Sequence, residues 1–184
     1  MRKLKLQVQM TIDGFVAGPN GEMDWTVSNW DNELIKYVVE ITEPVDCIVL
    51  GRKLAQGFIP HWASNPEEGG ADKINNTKKV VFTKTLDKSE WDNTVLAKGD
   101  LVDEITKLKK QSGKDIIAYG GATFVSALIK KGLIDEFHLF INPVAIGNGM
   151  SIFKELDSQK NLALVKSMSF ECGIVILNYE PKRE

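Results

Sequence analysis

The stretch from Asp115 to Phe124, DIIAYGGATF, constrains this chain's architecture more than any other. Ile116, Ile117, Ala118 and Tyr119 form an unbroken apolar run, the pattern of a short strand covered on both faces of a sheet. Two glycines follow. Phe124, Val125, Leu128 and Ile129 then recur at helical spacing, and Lys130-Lys131-Gly132 supplies a cationic last turn and a glycine stop. A strand passing through Gly120-Gly121 into a helix leaves unsatisfied N–H groups and the positive end of the helix dipole at the junction, which favours an anion. Without Cβ atoms the glycines let phosphates approach the backbone. The same junction would also serve as a plain tight turn packing helix on strand.

Similar junctions recur upstream. Cys47-Ile48-Val49-Leu50 reads as a buried strand stopped by Gly51, with Arg52-Lys53-Leu54 opening a short helix. Lys79-Val80-Val81-Phe82 is a further apolar strand ending in Thr83-Lys84. If these strands lie parallel to the one at 116–119, their carboxyl ends gather at one sheet edge, where open α/β sheets bind ligands. Two helix N-termini, Arg52, Lys53, Lys84 and the hydroxyls of Thr83 and Thr123 would then suit a ligand with several phosphates. Taken singly, each cation also fits a solvated surface position.

The remaining elements complete an α/β pattern. Leu4 to Met10 alternates apolar and polar residues, the signature of a strand with one face in the core. Thr11 to Trp25 is a long loop with glycines at 14, 18 and 21, apolar enough to cover something. Asp31 to Glu43 reads as a helix, with Asp31 as N-cap and Leu34, Ile35, Val38 and Ile41 on one face, ended by Pro44. His61 to Asn76 reads as an exposed polar loop, Val95 to Ala97 as a short strand and Leu101 to Gln111 as an amphipathic helix. Glu136 to Asn142 is a strand interrupted by Pro143 and resumed at Val144-Ala145-Ile146. Leu162–Met168 and Cys172–Tyr179 suggest an antiparallel hairpin. The expectation is one α/β domain, residues 1–184, with seven or eight strands, four helices and a mainly parallel sheet.

Composition narrows the function classes. A net charge of −2 makes no electrostatic case for nucleic acid or an anionic membrane. No apolar run reaches membrane-spanning length and the N-terminus enters a strand at once, so a cytoplasmic protein without a cleaved signal is expected. Cys47 and Cys172, with only His61 and His138 beside them, suggest neither a zinc site nor a disulfide scaffold.

The order DGFVAGPNGEMDW, IVLGRKL, VVFTK and IIAYGGATFVSALIKKGLIDEFHLFINPVAIGNG resembles the dihydrofolate reductase-like superfamily. It is most similar to the reductase domain of the riboflavin-biosynthesis deaminase–reductase, the RibD C-terminal domain, and its stand-alone bacterial relatives. The resemblance spans nearly the whole chain and is most specific over residues 120–149. It implies a three-layer α/β/α fold, NADPH as cofactor and a homodimer. By position, Gly51, Arg52 and Lys53 would hold the dinucleotide phosphates, Thr83 and Lys84 the adenosine 2′-phosphate, and Gly120, Gly121, Ala122 and Thr123 the pyrophosphate. Ala17, Gly18 and Met23 would belong to the loop over the nicotinamide, with Trp25 at its end.

The substrate side departs from the pattern. Asp31 is the nearest match to the acid that protonates the pterin in dihydrofolate reductases, and it serves equally as an N-cap. Residues 25–33 carry no cation where the riboflavin enzymes hold a ribose phosphate. No arginine matches the one that holds folate's glutamate tail, and the zinc deaminase signature is absent. Trp25 and Trp30 would line a pocket for a flat ring or staple the loop to the core. The expected function is NADPH-dependent hydride transfer to a small flat heterocycle, pterin- or pyrimidine-like. The alternative is a nucleotide-binding module without physiological catalysis.

Overall fold

The computed structural model describes residues 1–182, so residues 183–184 of the expected domain lie outside the described residues. The strands are β1 (Leu4–Met10), β2 (Val45–Gly51), β3 (Lys78–Phe82), β4 (Thr94–Ala97), β5 (Asp115–Ala118), β6 (Glu136–Ile141), β7 (Leu162–Ser169) and β8 (Val175–Pro181). The helices are α1 (Asn32–Thr42), α2 (Arg52–Ser64), α3 (Ala71–Asn76), α4 (Leu101–Lys110) and α5 (Ala122–Lys130). The eight strands form one sheet in the order β4-β3-β2-β5-β1-β6-β8-β7. All pairings from β4 to β6 are parallel, while β8 runs antiparallel to both β6 and β7. This is the expected mostly parallel α/β/α arrangement with an antiparallel C-terminal end.

The two faces of the sheet are covered differently. Leu4, Leu6, Val8, Val49, Ile116, Ala118, Phe137 and Leu139 pack with Ile105 and Leu108 of α4 and Val125, Leu128 and Ile129 of α5 in one continuous core. On the other face two separate clusters form. Ile48, Leu50, Val81 and Ile117 pack under Ala55 and Ile59 of α2 and Ile74 of α3. Phe140 and Ile176 pack under Leu34, Tyr37 and Ile41 of α1. Strand β1 runs between these clusters, and there it presents Lys5, Gln7 and Gln9 in place of apolar side chains.

Several sequence expectations need correction. β1 is not a half-solvated strand: it is central, and Lys5 and Gln7 are 6% and 8% exposed. Burial of Lys5 is compensated by its ammonium donating to Ile41 O at 3.2 Å and pairing with Asp115 at 3.2 Å. Residues 61–76 are not one loop, because α2 runs through Pro60 to Ser64 and α3 follows at Ala71. Pro60 breaks no helix there, although its ring removes one amide donor. Val144 to Ile146 forms no strand, and Tyr119 lies just past β5. On α1, Ile35 is 47% exposed and Tyr37 takes the buried position instead. Cys172 falls in the turn before β8, outside any strand.

Lys79 is the largest fully buried side chain, at 1% exposure on β3. Its ammonium donates to Asn75 O at 3.0 Å and Thr77 O at 2.8 Å, tying the end of α3 to the strand it feeds. Burial pushes its pKa down. Carbonyls from the last turn of α3 and from its C-cap satisfy it, which marks a structural lysine.

Candidate functional site

The site follows from where the helices leave the sheet. β2 and β5 are neighbouring parallel strands, with Ile48 opposite Ile117 and Val49 opposite Ala118. From the carboxyl end of β2 the chain enters α2 on one face; from that of β5 it enters α5 on the other. Adjacent strands whose helices depart to opposite faces leave a crevice between them, and such a switch point is where open α/β sheets take ligands.

Both helices at this crevice begin on glycine. Gly51 and Gly121 are the N-cap residues of α2 and α5, and neither helix has a side-chain cap. By contrast, Asp31 and Asp100 cap α1 and α4 through their carboxylates. The first amides of α2 and α5 therefore lack the usual side-chain acceptor and bring their dipoles to one place. Gly120 and Gly121 adopt φ of 138° and 81°, which L side chains rarely adopt. A Cβ on Gly121 would touch Leu54 Cβ at 3.5 Å, so α2 and α5 approach closely across the glycine pair.

The other expected cofactor residues occupy the same edge in different states. Lys53 and Thr123 are exposed, and Ala122 is buried at the start of α5. The Arg52 guanidinium reaches Gln56 at 3.3 Å, one helical turn away. Phe82, at the end of β3, lies 5.1 Å ring to ring from Phe124 of α5, so the β3 end sits beside the crevice. Thr83 is buried, and its hydroxyl oxygen accepts from the amides of Thr85 and Leu86 at 3.1 Å each. The Lys84 ammonium donates to Lys98 O at 2.8 Å and Gly99 O at 3.1 Å, which holds it against the turn leading into α4.

The loop from Thr11 to Trp25 is pinned at its base and open at its tip. Asp13 accepts from the amides of Ile146 and Gly147, the shortest contact being 2.7 Å. Ala17 bridges antiparallel to Met150: Met150 N donates to Ala17 O at 2.8 Å, and Val16 N donates to Met150 O at 2.8 Å. Gly149 admits this approach, since a Cβ there would lie 2.3 Å from Ala17 O. Gly18 and Glu22 close a tight turn at 2.8 Å, and Met23 beyond it is 44% exposed.

At the start of α1, both carboxylate oxygens of Asp31 are engaged. One carboxylate oxygen accepts from Leu34 N at 2.9 Å and the other from Cys172 N at 3.2 Å. These amides, Leu34 first, hold its pKa below the ordinary carboxylate value. That favours the ionised form, the reverse of what a proton donor needs. Trp30 stacks on Phe140 at 6.2 Å and donates its indole N–H to Val27 O at 2.8 Å. Trp25 donates to Glu22 O at 3.2 Å within its own loop.

Sequence reasoning passed over the polar seam between the two clusters. His138 of β6 sits opposite Gln7, and its ring meets the Tyr37 hydroxyl at 2.8 Å and Glu136 at 3.4 Å. Tyr119, following the Leu6–Ala118 pair, stacks with Phe58 of α2 at 5.4 Å, and burial raises its phenol pKa. The signal lies in the contrast between strands: β1 alternates, whereas residues 47–50 of β2 and 116–118 of β5 are continuously apolar. An open depression lined by Glu40, Glu43, Pro44, Lys114 and Asp115 lies at the opposite edge of the sheet and takes no part in the crevice.

A mostly parallel sheet whose switch point is flanked by two helices that start on glycine without side-chain caps defines an open α/β domain of the kind that takes ligands at the carboxyl ends of its strands. The chain belongs to the RibD C-terminal domain family, whose model matches residues 2–176. It is 36% identical over 183 residues to the uncharacterised protein YyaP of Bacillus subtilis, covering 97% of this chain and 94% of that protein. A crystal structure from Shewanella sp. PV-4, assigned provisionally to riboflavin biosynthesis, superposes with a TM-score of 0.76 at 25% identity over the full length of both chains. The deaminase/5-amino-6-(5-phosphoribosylamino)uracil reductase of Thermotoga maritima gives 0.73 at 18% identity, covering 98% of this chain and 57% of that one. The fold is therefore that of a riboflavin-biosynthesis reductase domain. Among the described residues no helix is long and apolar enough to cross a membrane.

Proposed function

We propose that this chain is an NADPH-dependent reductase that delivers hydride to a small flat heterocycle of pterin or pyrimidine type, reducing a C=N bond to CH–NH. The observation that carries this reading is the pair of glycine-capped helix N-termini flanking the β2–β5 crevice. A dinucleotide would lie there: Gly51, Arg52 and Lys53 at the start of α2, and Gly120, Gly121, Ala122 and Thr123 at the start of α5, would hold its phosphates. Lys84, with Thr83 at its side, stands at the neighbouring strand end, where it would face the 2′-phosphate. Arg52 is the second cation available for that task.

When bound, NADPH supplies the hydride, so the protein needs no nucleophile and contributes binding, orientation and exclusion of water. Ala17, Gly18 and Met23 would cover the reacting face, the bridge to Met150 fixing the loop's base while Met23 stays exposed at its tip. Trp25 and Trp30 would border the acceptor. Any proton would come from water, because the hydrogen bonds to Asp31 favour its ionised form. The carrying experiment is a titration of NADPH and NADH followed by tryptophan fluorescence.

A second reading is a nucleotide-binding module without physiological catalysis. It is favoured by the commitment of Asp31 to capping and by the absence of a cation from residues 25–33. NADPH binding without oxidation by any pterin, pyrimidine or flavin would select it. A cytoplasmic homodimer completes the proposal. The edge strand β7 supports pairing, since Leu164 and Val165 are each 56% exposed there.

A further inference from the structure

We infer that Gln7 is a specificity residue, whose side-chain oxygen accepts a hydrogen bond from a ring N–H of an uncharged, flat heterocycle seated in the seam between α1 and α2. The inference rests on the reductase reading for the identity of the site and adds the feature of the substrate that is recognised.

Gln7 is 8% exposed, and its Oε1 is the one buried side-chain nitrogen or oxygen without a hydrogen-bond partner among the described residues. Buried polar groups are almost always paired, because an orphaned one forfeits its hydration with no return. The residues on either side along the same face of β1 obey that rule. Lys5 reaches Ile41 O and Asp115, and Gln9 accepts from Asn142 Nδ2 at 2.7 Å. Asn142 in turn accepts from Val27 N at 2.9 Å. Only the middle member of the row is left open.

Its position explains what could close it. Leu4, Leu6 and Val8 face the α4–α5 core, so Gln7 faces the opposite side, where the sheet carries two apolar clusters with no apolar β1 residue joining them. Aromatic rings border that seam on both sides: Tyr119 stacked on Phe58, and Tyr37 beside the Trp30–Phe140 pair. Rings on both sides suit a planar guest. Tyr37 and His138 satisfy each other, and Lys5 is already paired, so a neutral guest meets no unspent charge. The lone acceptor then selects for a donor edge, such as a cyclic amide or amidine N–H.

Lumazine and 1,3-dimethyllumazine share one ring system, and only the first carries ring N–H donors. In the presence of saturating NADPH, saturation-transfer NMR and calorimetry should show lumazine binding to the wild-type protein about tenfold or more tightly than its dimethyl analogue. Gln7→Met should abolish that preference. It should also raise the melting temperature of the ligand-free protein, because the orphaned acceptor is gone. Equal binding of both compounds, no binding of lumazine, or a sharp fall in melting temperature for Gln7→Met would overturn the inference. Failure of the wild-type protein to bind NADPH would instead strike the reductase reading. NADPH binding with lumazine taken equally by wild type and Gln7→Met would strike Gln7 alone.

Discussion

Gly51 packs directly against Phe124: a Cβ placed on Gly51 would lie 2.8 Å from Phe124 Cβ and 3.1 Å from its Cγ. The end of β2 and the first turn of α5 can therefore meet only because Gly51 has no side chain. Its φ of −76° is ordinary, so the requirement is steric and not conformational. This contact sets the width of the crevice.

Gly51→Ala should accordingly cost about 1–3 kcal/mol of stability, as overpacking does, and weaken NADPH binding by displacing the start of α5. Gly57, inside α2 with open space at its Cβ position, is the internal control. Gly57→Ala should stabilise by roughly 0.5–1 kcal/mol through helix propensity and leave cofactor binding unchanged. Denaturant melts of the two variants, with NADPH titrations beside them, test the contrast.

Lys84→Ala should separate the two nicotinamide dinucleotides. Loss of a charge-assisted contact to the 2′-phosphate predicts NADPH affinity falling about tenfold or more, with NADH little changed. Equal losses for both would mean that Lys84 acts only through its bonds to Lys98 and Gly99, by holding the turn before α4.

Asp31 distinguishes a cap from a proton donor. Asparagine keeps an acceptor for Leu34 N, whereas alanine removes it. Asp31→Asn keeps the Leu34 cap but loses the acceptor for Cys172 N, so it should melt between the wild type and Asp31→Ala, the latter about 2–4 °C below the wild type. Reductase activity, assayed with whichever heterocycle is turned over, should survive Asp31→Asn. Its loss with stability intact would assign the proton to Asp31.

Glu136 makes the fold acid-sensitive. The His138 imidazole, followed by the Lys3 ammonium, holds its carboxyl down to about 2 from its ordinary value of 4.5, against the opposing effect of burial. A depressed folded-state pKa contributes stability that is fully present above the unfolded-state pKa. That contribution is lost as pH falls from about 4.5 through 2. Melting temperature measured from pH 6 to pH 2 (roughly the range in which carboxylates titrate) should fall less steeply for Glu136→Gln than for wild type.

Much of this organisation is legible in the residues. Continuous apolar runs at 47–50, 80–82 and 116–119 announce buried parallel strands, and the glycines after two of them mark the helix starts that flank the crevice. Asp31 announces its helix as a cap. What escapes is set by tertiary context. The alternation of Leu4–Met10 is a local property, but whether its polar face meets water depends on the strand's place in the sheet. β1 proved central, so the polar face became a buried seam. The helical residues beyond His61 were hidden by Pro60 and by the Gly- and Asn-rich residues around them, whose low helix propensity is outweighed at α2 and α3 by packing of Ile59 and Ile74 on β2 and β3. Tyr37 displaced Ile35 from the buried face of α1 because its hydroxyl finds His138 across the cluster.

The central claim is that the β2–β5 crevice holds a phosphorylated nicotinamide dinucleotide, and direct titration tests it most plainly. With four tryptophans as donors, Trp25 and Trp30 among them, NADPH should quench intrinsic fluorescence in a saturable, one-site manner, with NADH binding more weakly. A protein that binds neither nucleotide, while folded by circular dichroism, would contradict the account.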